Sequence, residues 1–127
     1  MEEVHVAHKI LEWAESNQLR IWWGKGQLDG SFFPMLDDRG TTHWLMSVWT
    51  YGGLEVQFQM MQTKPPFSFE AKRLELLHRL NTISGVEIPP DGMTRRPPVS
   101  LSTLKDKPVL GQFLAIFDWV IQEVRAS

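Results

Sequence analysis

The stretch His43-Trp44-Leu45-Met46-Ser47-Val48-Trp49-Thr50, then Tyr51-Gly52-Gly53, then Leu54-Glu55-Val56-Gln57-Phe58-Gln59-Met60-Met61 decides the fold. Two apolar-rich runs flank a glycine-bearing turn, which is the pattern of a β-hairpin. The loop length decides which side chains share a face. A two-residue turn at Gly52-Gly53 sets Leu45, Ser47, Trp49 and Tyr51 beside Leu54, Val56 and Phe58. A three-residue loop with a glycine bulge sets Trp44, Met46 and Val48 there instead. The second arrangement separates polarity better, because Ser47 and Trp49 then share the other face with Glu55, Gln57 and Gln59. That register is the expectation, and an indole among amides reads as a contact surface.

Upstream, Leu19-Arg20-Ile21-Trp22-Trp23 reads as a strand broken by Gly24, and Ser31 to Leu36 as a short aromatic strand. Pro34 cannot donate a ladder hydrogen bond, so that second strand belongs at an edge or carries a bulge. Asp37-Asp38-Arg39-Gly40 is the turn before His43. Ahead of the sheet, Val4, Ala7, Leu11 and Ala14 recur at helical spacing up to Ser16, and Asn17 can end the helix in a left-handed conformation.

Downstream of Lys64-Pro65-Pro66, Ser68 can cap a helix running to Ile83 with a leucine stripe at Leu74, Leu77 and Leu80, stopped by Gly85. The proline-rich run from Val86 to Leu104 is an extended crossover anchored by Val86, Ile88, Val99, Leu101 and Leu104. A last helix starts near Asp106 and Pro108, with Leu110, Phe113, Phe117, Val120, Ile121 and Val124 on one face. The expected fold is therefore α+β over residues 1–127 as one domain: an N-terminal helix, a four-stranded antiparallel meander and two C-terminal helices packed mainly on one sheet face. Trp44, Val48, Val56, Phe58, Leu77, Leu80, Phe113, Phe117 and Ile121 are its expected core.

Composition limits function. The 127 residues are 43% hydrophobic, enough for one core, and 13 basic against 15 acidic residues leave a net charge of −2. No chain-wide basic field draws in nucleic acid, so any polyanion site is local. The lack of cysteine removes thiolate chemistry, disulfides and thiolate zinc sites. Met1-Glu2-Glu3-Val4-His5 has no basic n-region, and no apolar run is long enough to span a bilayer, so the expectation is a cytoplasmic protein without a membrane partner. Six tryptophans in so short a chain either build the core or anchor a partner.

Several constellations bear on chemistry. Gly24-Lys25-Gly26 offers amides and a lysine to an anion, but the glycine spacing, the Lys-Ser/Thr pair and the helix of a Walker loop are missing. A plain connection between strands fits it better, with a partner-binding loop as the alternative. Asp37, Asp38 and Glu55 suggest the acidic centre of a metal-dependent nuclease, yet Gln57 stands where such a site wants lysine. His5 and His8 have metal-pair spacing without a third ligand nearby, and no serine lies in a nucleophile elbow. No motif requires a cofactor. Arg95-Arg96 could neutralise phosphates, with Lys25, Lys64, Lys72 and Arg73 converging on the pair, while Trp22, Trp49 or Phe33 could stack on unpaired bases.

The run Trp23-Gly24-Lys25-Gly26, Gly30-Ser31-Phe32-Phe33-Pro34, Ser47-Val48-Trp49-Thr50 and Leu54-Glu55-Val56-Gln57-Phe58 resembles a small uncharacterised bacterial module sometimes attached to restriction-nuclease-like domains. The resemblance covers roughly residues 20 to 60 and carries no catalytic residue. It implies an accessory or binding role near nucleic-acid enzymes. The leading expectation is thus a non-enzymatic binding or accessory module for nucleic acid or a nucleic-acid enzyme, with Trp22, Lys25, Trp49, Gln57, Arg95 and Arg96 as contacts. The alternatives are a structural homo-oligomer that buries its open sheet face on a second copy, and a degenerate metal-dependent hydrolase.

Overall fold

The N-terminal stripe forms α1 (Glu2–Ser16) and buries Val6, Ala7, Ile10 and Ala14. In the computed structural model, which describes residues 2–24, 31–49 and 52–127, α1 ends at Ser16 as expected, but Asn17 is not the left-handed residue that follows it. Gln18 takes the left-handed conformation, with φ of 60°. Asn17 uses its side-chain amide to donate to the Trp13 carbonyl at 2.9 Å, and the Leu19 amide closes onto the Ala14 carbonyl.

The strands are β1 (Arg20–Trp23), β2 (Ser31–Asp38), β3 (Thr41–Trp44), β4 (Met46–Trp49), β5 (Gly53–Val56) and β6 (Pro98–Ser100). They form one antiparallel sheet in the order β1-β2-β4-β5-β6, with β3 also paired to β2. Sequence order and strand direction are those of the expected meander, but six strands replace four. One addition is β6, drawn from the proline-rich crossover onto the edge of β5. The other arises because the run through His43 to Trp49 is split at Leu45.

Pro34 explains the split. Met35 lies opposite Trp44, whereas Phe32 lies opposite Val48, so β3 and β4 together hold one more residue than the facing stretch of β2. The extra residue is a bulge. Pro34 accepts from the Leu45 amide through its carbonyl but has no N–H to return, and the ladder breaks there. The bulge also reverses parity. Trp44, expected in the core with Met46 and Val48, is instead half-buried on the opposite face, where its ring lies 5.4 Å from that of Phe33.

Beyond the bulge the expected hairpin register holds. Met46 faces Val56, Ser47 faces Glu55 and Val48 faces Leu54, which leaves three residues in the loop. Two of them, Thr50 and Tyr51, lie outside the described residues. The second strand stops at Val56 rather than running to Met61. Phe58 and Met61 are three apart and both buried, and a single turn of helix, α2 (Phe58–Met61), satisfies that spacing where a strand would not. At the β2–β3 turn Arg39 and Gly40 have φ of 50° and 81°, the left-handed pair that a two-residue hairpin loop requires.

Helix α3 (Glu70–Leu80) has Phe69 at its N-cap position, with no side-chain capping bond, so it starts later than a Ser68 cap would start it, and it ends at Leu80 and not at Ile83. Helix α4 (Lys107–Ala126) begins after Asp106 with Pro108 in its first turn, as expected. Helices α1 and α4 cover the inner sheet face of Phe32, Leu36, Met46, Val48, Leu54 and Val56, and α3 packs on α4. All the expected core residues except Trp44 join this one buried cluster. Two tryptophans fasten the layers: Trp13 on α1 donates its indole N–H to Asp118 of α4 at 2.8 Å, and Trp119 of α4 lies beneath Arg79 of α3, 4.0 Å from the ring centre.

Candidate binding face

With Trp13 and Trp119 committed between helices, four tryptophans remain, and all are on the sheet. The register fixes their sides. Trp22 lies opposite Phe33, Trp44 opposite Met35, and Trp49 opposite Ser31, so all three share the outer face with Phe33 and Arg20. Trp23 lies opposite Phe32 and belongs to the inner side, at its margin. Among the described residues none of the three long helices packs on the outer face. Ser31 and Met35 are nevertheless buried there, opposite Trp49 and Trp44, and Ser47 is buried against the Gln57 amide.

Trp22 is 56% exposed, the most accessible indole of the sheet. Trp49 is half-buried, presenting part of its ring. Arg96 comes to the same face from the far edge. Pro98 pairs with Glu55, and the Val56 amide donates to the Pro97 carbonyl at 3.0 Å, so the register runs one pair beyond β6, and alternation gives Arg96 the same side as Pro98 and Glu55. Arg95 and Arg96 are both exposed; Arg95 approaches Asp91 only at 3.9 Å. A pair so exposed and so long leaves Arg95 available to another anion.

Gln57 is on the expected face but is not a contact residue. It is 2% exposed, its amide nitrogen donates to Ser47 Oγ at 2.8 Å, and its Oε1 is buried without a partner. The side chain supports the face from below. The expected convergence of basic residues on the arginine pair also fails. Lys72 pairs with Glu123, Lys64 donates to the Thr42 carbonyl, and only Arg73 comes near, donating to the Met93 carbonyl at 3.0 Å. Lys25 lies outside the described residues. Its neighbour Gly24 serves the sheet itself, because a Cβ there would sit 2.0 Å from Ser31 Oγ and would force that side chain to turn aside.

The carboxylates do not assemble a centre. Asp37 accepts from Arg20 Nε at 2.7 Å and from Thr42 Oγ1 at 2.6 Å, and Asp38 accepts from Arg39, while Glu55 stands on β5 between Ser47 and Pro98. The bonds from Arg20 and Thr42 hold the Asp37 carboxyl at about 2, well below its ordinary 3.8. Among the described residues no group of three or more His, Asp or Glu is placed to hold a metal ion. A cleft at the β2–β3 turn, lined by Asp38, Arg39, His43 and Lys64, is similarly self-satisfied. Arg39 donates to Asp38 and to the last carbonyls of α4, and burial followed by the nearby Lys64 lowers the pKa of His43.

Phe33 and Arg20 complete the face. Phe33 is legible as a stacking candidate from its aromatic run, but Arg20 is not, since a lone arginine at a strand start has no distinguishing pattern. Comparisons with protein-family models, with curated proteins and with solved structures yield no match.

Proposed function

We propose that the chain is a non-enzymatic binding module whose working surface is the outer sheet face, and that it takes single-stranded nucleic acid. The observation that carries this reading is the gathering of Trp22, Phe33, Trp44 and Trp49 from three neighbouring rows of the sheet, β1, β2 and the split run of β3 and β4, onto one face free of the long helices, with Arg96 and Arg95 at its far edge. Flat rings on adjacent strands stand at roughly the 4.8 Å strand spacing, close enough for successive unpaired bases to stack. Every base has a π-face, so such a platform is tolerant of sequence. The arginines supply phosphate contacts without a basic field over the whole chain. The likeness of residues 20 to 60 to a bacterial module near restriction-nuclease-like domains supports the same partner class.

The test is titration of single-stranded and duplex oligonucleotides at several salt concentrations. Trp22→Ala and Trp49→Ala each weaken single-strand binding by about 1 to 3 kcal/mol and leave its salt slope unchanged. Replacing Arg95 and Arg96 with Ala flattens the log–log slope by roughly 0.7 for each phosphate that is no longer neutralised. Absence of binding to any oligonucleotide at about 50 mM salt, where counterion release favours association most, refutes the proposal.

A further inference from the structure

Among the described residues strand β1 pairs only with β2, so its other edge is open. Sheet edges are normally blunted by proline, lysine, bulges or extreme shortness. The opposite edge follows that rule: β6 has three residues and begins at Pro98 after Pro97. Arg20-Ile21-Trp22-Trp23 contains neither proline nor lysine, and its pairing with β2 is unbulged through all four residues. It also carries the two most exposed tryptophans on the sheet, Trp22 at 56% and Trp23 at 51%. These project to opposite faces, so a strand added at this edge is gripped from both sides.

The backbone at the edge is set for addition. The Gly24 amide donates to the Ser31 carbonyl on β2. Alternation then turns Trp22 and Arg20 toward β2, and the N–H and C=O groups of Ile21 and Trp23 outward. A twofold axis normal to the sheet joins like faces only in registers that pair residues of the same parity. With Ile21 on the axis, the two Ile21 residues exchange both bonds, and each Trp23 amide donates to the Leu19 carbonyl of the second copy. Trp22 then stands across from Arg20 of that copy as a non-hydrogen-bonded pair, the closer kind, with Cα atoms about 4.5 Å apart.

That juxtaposition is reciprocal and electrostatically matched. Arg20 spends the rim of its guanidinium on Asp37, through Nε at 2.7 Å and Nη2 at 3.2 Å, which fixes its plane and leaves the flat faces free. Those faces are what an indole takes. Moving the axis to Trp22 instead would set Arg20 against Gly24 and forfeit both stacks. We propose that the open edge of β1 is a self-association edge, where a second copy adds its β1 antiparallel with Trp22 of each chain stacked on Arg20 of the other. The two outer faces then run on as one surface. The inference uses the backbone edge and does not rest on nucleic-acid binding.

Sedimentation velocity of the full chain from about 1 to about 200 µM, the range bracketing a micromolar association, tests it together with amide hydrogen exchange at both ends of that range. The expected result is a monomer–dimer equilibrium in which exchange at the Ile21 and Trp23 amides slows with concentration, while the Trp22 amide, already turned to β2, does not change. Ile21→Pro removes the outward N–H on the axis, and Trp22→Ala removes the reciprocal stack while leaving the backbone intact; each raises the dimer Kd by about tenfold or more. If Ile21→Pro does not fold, Trp22→Ala and the exchange data decide. A wild-type monomer at about 200 µM overturns the proposal. So does a dimer whose Kd Trp22→Ala leaves within about threefold, or whose Ile21 amide exchanges at the monomer rate.

Discussion

The buried pair of Ser47 and Gln57 permits a sharp test of how the outer face is closed. Gln57 keeps one bond, from its amide nitrogen to Ser47 Oγ at 2.8 Å, and one orphan, Oε1. Ser47→Ala removes the remaining partner and leaves a 2% exposed amide wholly unsatisfied. The expected loss is about 1 to 3 kcal/mol, the penalty for stranding a buried polar group. Gln57→Leu discards the orphan oxygen along with the bond, so gain and loss nearly cancel. The double variant puts an apolar pair in an apolar setting and should recover at least about 1 kcal/mol relative to Ser47→Ala alone. Urea unfolding followed by tryptophan fluorescence reads this directly. With a slope of about 1.5 kcal/mol/M, a loss of about 2 kcal/mol moves the midpoint by about 1.3 M. If Ser47→Ala costs less than about 0.5 kcal/mol and the double variant equals the sum of the singles, the amide is hydrated. The face would then be open down to Gln57, and that residue would become a contact after all.

Phe117 is fully buried, with Phe113 at 5.1 Å and Trp13 at 6.4 Å between ring centres. Phe117→Ala should therefore cost about 3 to 5 kcal/mol, and a loss below about 1 kcal/mol in the same urea assay would show that α4 does not pack on α1 and the sheet as described. Asp37 titrates at about 2 when folded, below its ordinary 3.8. Its contribution to stability is complete above pH of about 4 and disappears as pH falls toward about 2. Asp37→Asn should flatten the acid limb in that window and leave the slope near neutrality unchanged; an acid limb identical to wild type would show that the Arg20 bond does not persist in solution.

The parts of the fold that follow from period and punctuation were legible in the sequence. The stripes of α1 and α4, the hairpin register about Gly52-Gly53 and the meander order all follow from apolar spacing and turn residues. Three features depend on contacts distant in sequence. Trp44 changes face because of Pro34, ten residues earlier on a neighbouring strand, and periodicity within one strand cannot register a bulge imposed by its partner. The polarity alternation of Glu55-Val56-Gln57 places Gln57 correctly on the outer side, yet alternation assigns a face and says nothing about what lies over it. The three-residue β6 is too short to have a period, and it forms because Val99 seats opposite Leu54 once Val86 to Leu104 has crossed back.

The tryptophans show where this limit matters for function. A count of six poses the choice between core and anchor, and position resolves it residue by residue. Trp13 and Trp119 lie on helix faces that meet another helix, so their polar edges and rings are used within the fold through Asp118 and Arg79. Trp22, Trp44 and Trp49 lie on the sheet side opposite those helices, and Trp23 at the margin of the open edge. Trp44 is half-buried against Phe33 and donates its indole N–H to the Met46 carbonyl at 3.1 Å, whereas the exposed rings of Trp22 and Trp23 on an unblunted edge cost solubility and leave a pairing template open. The inner core is complete without them, since its closely packed residues come from α1, α3, α4 and the inner sheet face. On the two proposals above these indoles mark a face for flat ligands and an edge for a second strand, and the two can be broken separately at Trp49 and at Ile21.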